Sequence, residues 1–348
     1  MAFENLSDRE KQILLNLINY YISSADPVGS RVIATKFQMG LSSATIRNTL
    51  QDLEDLGLVE QPHTSAGRVP TDKGYRVYID YLLKPDVLTD EEKKTIKNAI
   101  VKEGRGINEI LGQTARVLGD ITRQLGVTIA PRFEEGVLGQ LKLIPVSEGK
   151  IMVIVIVASG IARTVVLEVE TSISASALQD VEQILNERLA GLTLSQIRTS
   201  IVDRLADYTG NGRLLQVVMD SHHKLWAEER GEDIHFAGTD KLLAMPEFAN
   251  REKLSQLMKL LEDGRVLSDF LSHASDEGLV ITIGKENTIN EIVNCSLVTS
   301  SYKVGNISGA IGIIGPTRMP YNKLVSIVEY TAKSITEVLS GMENKKGT

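Results

Sequence analysis

The apolar residues of this chain change their spacing repeatedly, and the order of those changes restricts the fold more than any other feature. From Leu6 to Leu83 they recur mostly at helical intervals. Lys84-Pro85-Asp86 breaks the pattern and predicts a linker. Thr89, with Glu92 three residues on, opens a further helix through a capping box, and Gly104-Arg105-Gly106 ends it. The next helix is read as carrying Ile107, Ile110, Leu111, Thr114, Val117, Leu118, Ile121 and Leu125 on one stripe. Then β-branched runs take over at Val127–Ala130, Val137–Val146, Ile151–Ala158 and Ala162–Val169, an antiparallel meander with turns at Ser147-Glu148-Gly149 and Ser159-Gly160. Helical spacing returns over Ser176–Ala190, Leu194–Tyr208 and Leu214–Glu228. A strand at Ile234–Phe236 and helices across Glu252–His273 follow, then strands at Leu279–Ile283, Cys295–Lys303 and Ile307–Ile314 and a last helix from Tyr321 to Leu339. The class is α+β and multidomain. Strands on both sides of a helical block fit one sheet-based domain with a helical insertion, and they fit two separate α+β domains equally well.

The first eighty residues hold the feature closest to a function. Ser7 and Glu10 form a capping box ahead of the stripe Ile13, Leu14, Leu17, Ile18, Tyr21. Asp26-Pro27-Val28-Gly29 turns the chain, Ser30 is read as the cap of a short helix Arg31–Phe37, and Gln38-Met39-Gly40-Leu41 turns it again. Ser42 caps a third helix, with Leu41 and Ile46 placed as a hydrophobic staple. Ile46, Leu50 and Leu53 share one face of that helix; at ~100° per residue, Ala44, Asn48 and Gln51 lie opposite, flanked by Thr45 and Arg47. Such side chains suit base edges: Asn and Gln pair with adenine, Arg with guanine, and methyl groups touch thymine. A recognition helix presents its N-terminal residues to the major groove, and the acids Asp52, Glu54 and Asp55 fall at the other end. Leu58–Gln61 reads as a strand, and Pro62–Pro70, with His63, Ser65 and Arg68, as the wing, Arg68 being expected at its tip to reach a phosphate or the minor groove. A helix Asp72–Leu83 adds Lys73 and Arg76. The expected DNA contacts are Ser42, Ser43, Ala44, Thr45, Arg47, Asn48, Gln51, His63, Ser65 and Arg68. The three stripes also fit a plain helical bundle or a protein-binding winged helix. Charge argues against DNA: the chain carries −7, and residues 1–75 hold seven Lys and Arg against nine Asp and Glu, a net of −2.

Ser42-Ser43-Ala44-Thr45-Ile46-Arg47-Asn48, Leu53-Glu54-Asp55-Leu56-Gly57-Leu58 and His63-Thr64-Ser65-Ala66-Gly67-Arg68-Val69-Pro70-Thr71, with Gly74-Tyr75-Arg76, closely resemble the bacterial heat-inducible transcription repressor family HrcA. Gly312-Ile313-Ile314-Gly315-Pro316-Thr317-Arg318-Met319 with Tyr321 is similar to that family's C-terminal signature. The resemblance implies a winged helix-turn-helix over 1–83, a linker and helix over 84–106, a GAF-like domain in two segments (107–170 and 250–340) and an inserted dimerisation domain over 171–249. It implies a homodimer that binds CIRCE, an inverted-repeat double-stranded DNA operator upstream of chaperone operons. It implies repression lifted on heat shock, with the GroEL chaperonin keeping the repressor active. A two-fold operator needs a two-fold protein. The alternative is a ligand-gated regulator with a small molecule in the GAF-like domain. Ile151–Ala158 and Ile311–Ile314 offer few polar groups to orient one, which favours a filled interior.

Other chemistry finds little support. Gly309, Gly312 and Gly315 are not at dinucleotide-loop spacing. The adjacent His222 and His223 point about 100° apart on a helix and cannot share a metal. The single Cys295 excludes an internal disulfide and reads as a small buried residue. No nucleophile stands in a catalytic motif, so no enzyme, cofactor or metal is expected. Met1-Ala2-Phe3-Glu4-Asn5 lacks the pattern of a signal peptide. The longest apolar run, Ile151–Ala158, is far below the ~18 residues of a membrane span, so a cytoplasmic protein without membrane contact is expected. Arg318 and Asn322 are placed to contact another domain.

Overall fold

The computed structural model describes residues 6–63, 66–101, 106–169, 174–207, 212–221, 225–226, 234–262, 264, 266–267, 271 and 278–346. The N-terminal unit comprises α1 (Asp8–Ser24), α2 (Ser30–Lys36), α3 (Ser43–Asp55), the two-residue strands β1 (Val59–Glu60) and β2 (Val69–Pro70), and α4 (Asp72–Val77). The Ser7–Glu10 capping box starts α1 as its spacing predicts. Ile13, Leu14, Leu17 and Ile18 of α1 meet Ile33, Ile46, Leu50, Leu53 and Leu58 in one core. After Val77 the helix widens, with the Leu83 N–H reaching back five residues to the Tyr78 carbonyl at 2.7 Å.

The second unit is a five-stranded antiparallel sheet in the order β7-β3-β10-β9-β8, formed by β3 (Leu125–Ile129), β7 (Ile234–Ala237), β8 (Leu279–Ile283), β9 (Cys295–Val304) and β10 (Ile307–Pro316). Alternation sorts its side chains to two faces. Val298, Tyr302, Ile311 and Ile313 pack under α5 (Asp90–Ile100), α6 (Ile107–Thr122) and the long α12 (Tyr321–Lys346). Leu125, Val127, Leu297 and Ile314 face the other way, onto α10 (Thr239–Leu243) and α11 (Arg251–Glu262). The expected linker does not run free. The Asp86 N–H donates to the Asn322 carbonyl at 2.9 Å, and Ser326 Oγ donates to the Asp86 carbonyl at 2.6 Å. The Thr89–Glu92 capping box then starts α5, which packs with the sheet's helical layer through Ile96 and Ile100.

Between β3 and β7, neighbours in one sheet, the chain leaves to build a third unit. It holds β4 (Leu138–Ser147), β5 (Lys150–Val157) and β6 (Ala162–Glu168) as a separate three-stranded meander, with α7 (Ala175–Leu189), α8 (Leu194–Leu205) and α9 (Gly212–Asp220). Its core is its own: Leu141, Val153, Val155, Leu178, Val181, Leu185, Ile197, Val218 and Trp226. This corrects the expected boundaries at 171 and 249. The meander lies within the insertion and Ile234–Ala237 returns to the main sheet. Only the first strand of the supposed four-strand meander separates from the rest. Period-2 alternation shows that a strand has a buried face but carries no information on which sheet it joins.

Candidate nucleic-acid interface

Two turns with left-handed backbone, at Ala25 (φ 61°) and Gly40 (φ +67°), fold α1, α2 and α3 onto each other. Ser42 caps α3: its Oγ accepts the Thr45 N–H at 3.1 Å and lies 2.9 Å from Thr45 Oγ1. Ile46, Thr49, Leu50 and Leu53 are buried, and Thr49 Oγ1 donates to the Thr45 carbonyl. The opposite strip, Ser43, Ala44, Arg47, Asn48 and Gln51, is exposed along with Ser42, while Thr45 is half-buried. The strip drawn from helical periodicity thus faces outward on a helix whose back is locked in a core.

Two residues join the strip that sequence reasoning left out. Gly29, not Ser30, occupies the cap position of α2 and makes no side-chain bond there. Ser30 instead lies with its Oγ 3.0 Å from Ser43 Oγ, which brings the exposed Arg31 beside the first turn of α3. Order within a helix-turn-helix was the one available signal for both.

The wing is short, with Val59 opposite Pro70 and Glu60 opposite Val69. His63 is exposed on its loop, and Ser65 lies outside the described residues. Arg68 is not at a free tip. Its backbone pairs with Val28 in both directions, at 2.8 and 2.9 Å. Its guanidinium Nη2 lies 2.7 Å from Glu54 Oε2 and donates to Gln51 Oε1 at 3.3 Å, with 16% of the side chain exposed. Gly67 permits this approach, since a Cβ there would lie 2.4 Å from the Val28 carbonyl carbon. Gln51 Nε2 donates to Asp55 Oδ1 at 3.0 Å, so its amide is held at both ends. Arg68 is a strap from wing to α3, and Arg31 of α2 and Arg47 of α3 are exposed.

Lys73 and Arg76 also turn away from the strip. Lys73 Nζ donates to the Leu56 carbonyl at 2.8 Å, supplying the cation that the last turn of α3 lacks. Arg76 donates from Nε to Glu286 Oε1 at 2.9 Å and from Nη2 to the Ile281 carbonyl at 2.7 Å, and pairs with Asp80. Several acids behind the −2 balance are engaged as well: Glu10 in its cap, Glu54 with Arg68, and Asp72 accepting the Lys285 N–H at 3.0 Å.

The motifs set aside are structural. Gly315 stands where a Cβ would lie 2.1 Å from Gln124 Oε1, and Cys295 is buried in β9. Tyr321 is buried, its hydroxyl donating to Ser296 Oγ or the Thr317 carbonyl at 2.7 Å, and burial pushes it well above its ordinary pKa. His222 and His223 lie outside the described residues. Among the described residues no three His, Cys, Asp or Glu side chains group as for a metal, and no helix is long and apolar enough to cross a membrane. The space between the five-stranded sheet and its helices is filled by Ile110, Leu111, Val298, Ile311 and Ile313, all fully buried or nearly so.

Comparison with known proteins agrees with this geometry. A family model described as "Winged helix-turn-helix transcription repressor, HrcA DNA-binding" matches residues 5–80, and one described as "HrcA protein C terminal domain" matches residues 108–325. The chain belongs to the HrcA family. A heat-inducible transcription repressor HrcA of Chlorobium chlorochromatii (strain CaD3) is 39% identical over 345 residues, 98% of this chain and 99% of that protein. Its namesake in Pelotomaculum thermopropionicum is 36% identical over 337 residues, 96% and 97% of the two chains. A crystal structure of a hypothetical protein at 2.2 Å resolution superposes with a TM-score of 0.62 at 23% identity, covering 97% of this chain and 99% of that one, which shows the same fold. The α+β, multidomain HrcA architecture with an N-terminal winged helix is therefore that of the family.

Proposed function

We propose that this chain is a dimeric, heat-inducible repressor that binds the CIRCE inverted repeat and blocks transcription of chaperone operons by occupancy. The observation that carries the reading is the exposed strip Ala44, Arg47, Asn48 and Gln51, backed by a helix face buried at Ile46, Leu50 and Leu53. It has the residue types and the helix end that read a major groove. Arg47 and Asn48 face base edges, joined by Gln51 once its amide leaves Asp55 and Arg68; Ser42, Ser43, Ala44 and Thr45 approach backbone and thymine methyls; His63 and Ser65 belong to the wing.

The reading of a dimer is supported by the outer face of the meander. Ile144, Met152 and Val166 lie side by side in register across β4, β5 and β6. Ile144 is 41% and Val166 49% exposed, with Val146 at 51% at the same end. A second copy covering this face would hold two α3 helices at a set distance. Relief by heat follows from marginal stability, which lets a small temperature rise change the active fraction, with GroEL restoring it. The test is a footprint of the purified chain on an inverted-repeat operator with and without chaperonin. Protection of both half-sites, extended by chaperonin after a heat step, is expected; protection of neither half-site removes the reading.

A further inference from the structure

The winged helix meets the GAF-like domain along one continuous interface, and two points on it are polar grips. One lies at α4, where Arg76 meets Glu286 and the Ile281 carbonyl, Asp72 meets the Lys285 N–H, and the Tyr75 ring lies 5.9 Å from that of Tyr321. The other lies at the far end of α1. The last turn of α1 contains no basic residue, so its outward carbonyls and the negative end of its dipole need a partner. The Tyr21 carbonyl is taken by the Ala25 N–H at 2.9 Å. The Ile22 carbonyl accepts Arg318 Nη1 at 2.7 Å, from a residue 296 positions away. The same guanidinium donates from Nε to Glu247 Oε1 at 2.7 Å, and 19% of the Arg318 side chain is exposed.

The chain positions Arg318 firmly. It sits between Pro316, the end of β10, and Tyr321, the start of α12. Glu247 stands next to Phe248, which is buried under the opposite face of the sheet. A planar fork that donates along two directions can join two such bodies at a fixed angle, which an ammonium cannot. The α4 contacts lie towards one end of this interface, and the Arg318 bond to the end of α1 holds the other and limits rotation of α1 about α4. Because α1 and α3 share one core, fixing α1 fixes the direction of α3.

We propose that Arg318 is a positioning residue for operator binding: by capping α1 it sets the angle at which the GAF-like domain presents α3. The proposal rests on the reading that paired α3 helices bind an inverted repeat. It gives Arg318 a role in DNA recognition although it lies in the C-terminal segment of the chain and touches no part of the exposed strip.

The experiment measures affinity of the full chain for operators whose spacer is altered, beside a single half-site. Removing Arg318 alone strands the Glu247 carboxylate, so the variant is the pair Arg318→Met with Glu247→Gln, and Arg318→Lys is run with it. A spacer changed by ~5 base pairs turns the half-sites about half a helical turn apart, and wild type should lose at least about tenfold in affinity there. The double variant should bind the half-site like wild type, bind the native operator more weakly and lose less than about threefold on the altered spacer; Arg318→Lys should fall between. A spacing profile in the double variant identical to wild type overturns the proposal, as does a parallel loss on the half-site, which would mean Arg318 serves only the folding of the winged helix. Indifference of wild type itself to spacing would remove the inverted-repeat reading, and this one with it.

Discussion

Arg47 stands on the outward strip of α3, exposed, with Asn48 beside it and the buried Ile46 behind. Its replacement touches no core, so Arg47→Ala should leave unfolding by urea unchanged. It should weaken operator binding by ~1–3 kcal/mol and relax preference at one base position, read by gel shift on operators varied at each position. Arg68 behaves differently because its charge is spent within the protein. Arg68→Ala strands Glu54, whose side chain is 26% exposed, and frees one end of the Gln51 amide. A loss of stability on the order of 1.5–3 kcal/mol is expected. Adding Glu54→Gln should return most of it, since the cost lies in the unpaired carboxylate; a double-mutant cycle in urea that shows simple additivity would contradict the strap.

At the scale of elements, helix ends are completed by residues remote in sequence. Neither α1 nor α3 has a basic residue in its last turn, and Arg318 and Lys73 supply what is missing. A capping box, by contrast, is local, which is why Ser7–Glu10 and Thr89–Glu92 are visible in the sequence while these two cations are not. The edge strand β7 has its own sensitivity. Among the described residues His235 Nε2 is buried without a hydrogen-bond partner, and burial holds the imidazole below its ordinary pKa of about 6.5. The folded state therefore prefers the neutral ring, and the unfolded chain takes up the proton first on acidification. The stability this group contributes is full above about 6.5 and is lost as pH falls through the lower folded value. Protection of the amides over Ile234–Ala237, taken relative to their intrinsic exchange rates, should fall between pH 7 and pH 5, and His235→Gln should abolish that fall.

For the whole molecule, the proposed function separates three tasks: reading at α3, orientation at the five-stranded sheet, and pairing in the inserted unit. The insertion leaves and re-enters between β3 and β7, which pair directly, so it projects from the sheet without interrupting it. Val166→Lys places a charge on the exposed apolar face of the meander. The variant should sediment as a monomer and lose about 10²–10⁴-fold in affinity for the full operator, while single half-site binding stays the same. A variant that remains a dimer would show that another surface joins the copies.

The sequence by itself determined what depends on near neighbours. Helical spacing and caps placed α1, α3, α5 and α12, and the position of Ile46, Leu50 and Leu53 decided which side of α3 is left exposed. The residues of the exposed strip were legible for the same reason. Tertiary structure alone decided what depends on remote partners. It assigned the strand at Leu125–Ile129 to one sheet and the meander to another, turned Arg68 back onto Glu54, and brought Arg318 to the end of α1. A periodic pattern records that a face is covered, and a charged residue records that a partner is needed. Neither records which distant segment answers, because that follows from the path of the whole chain.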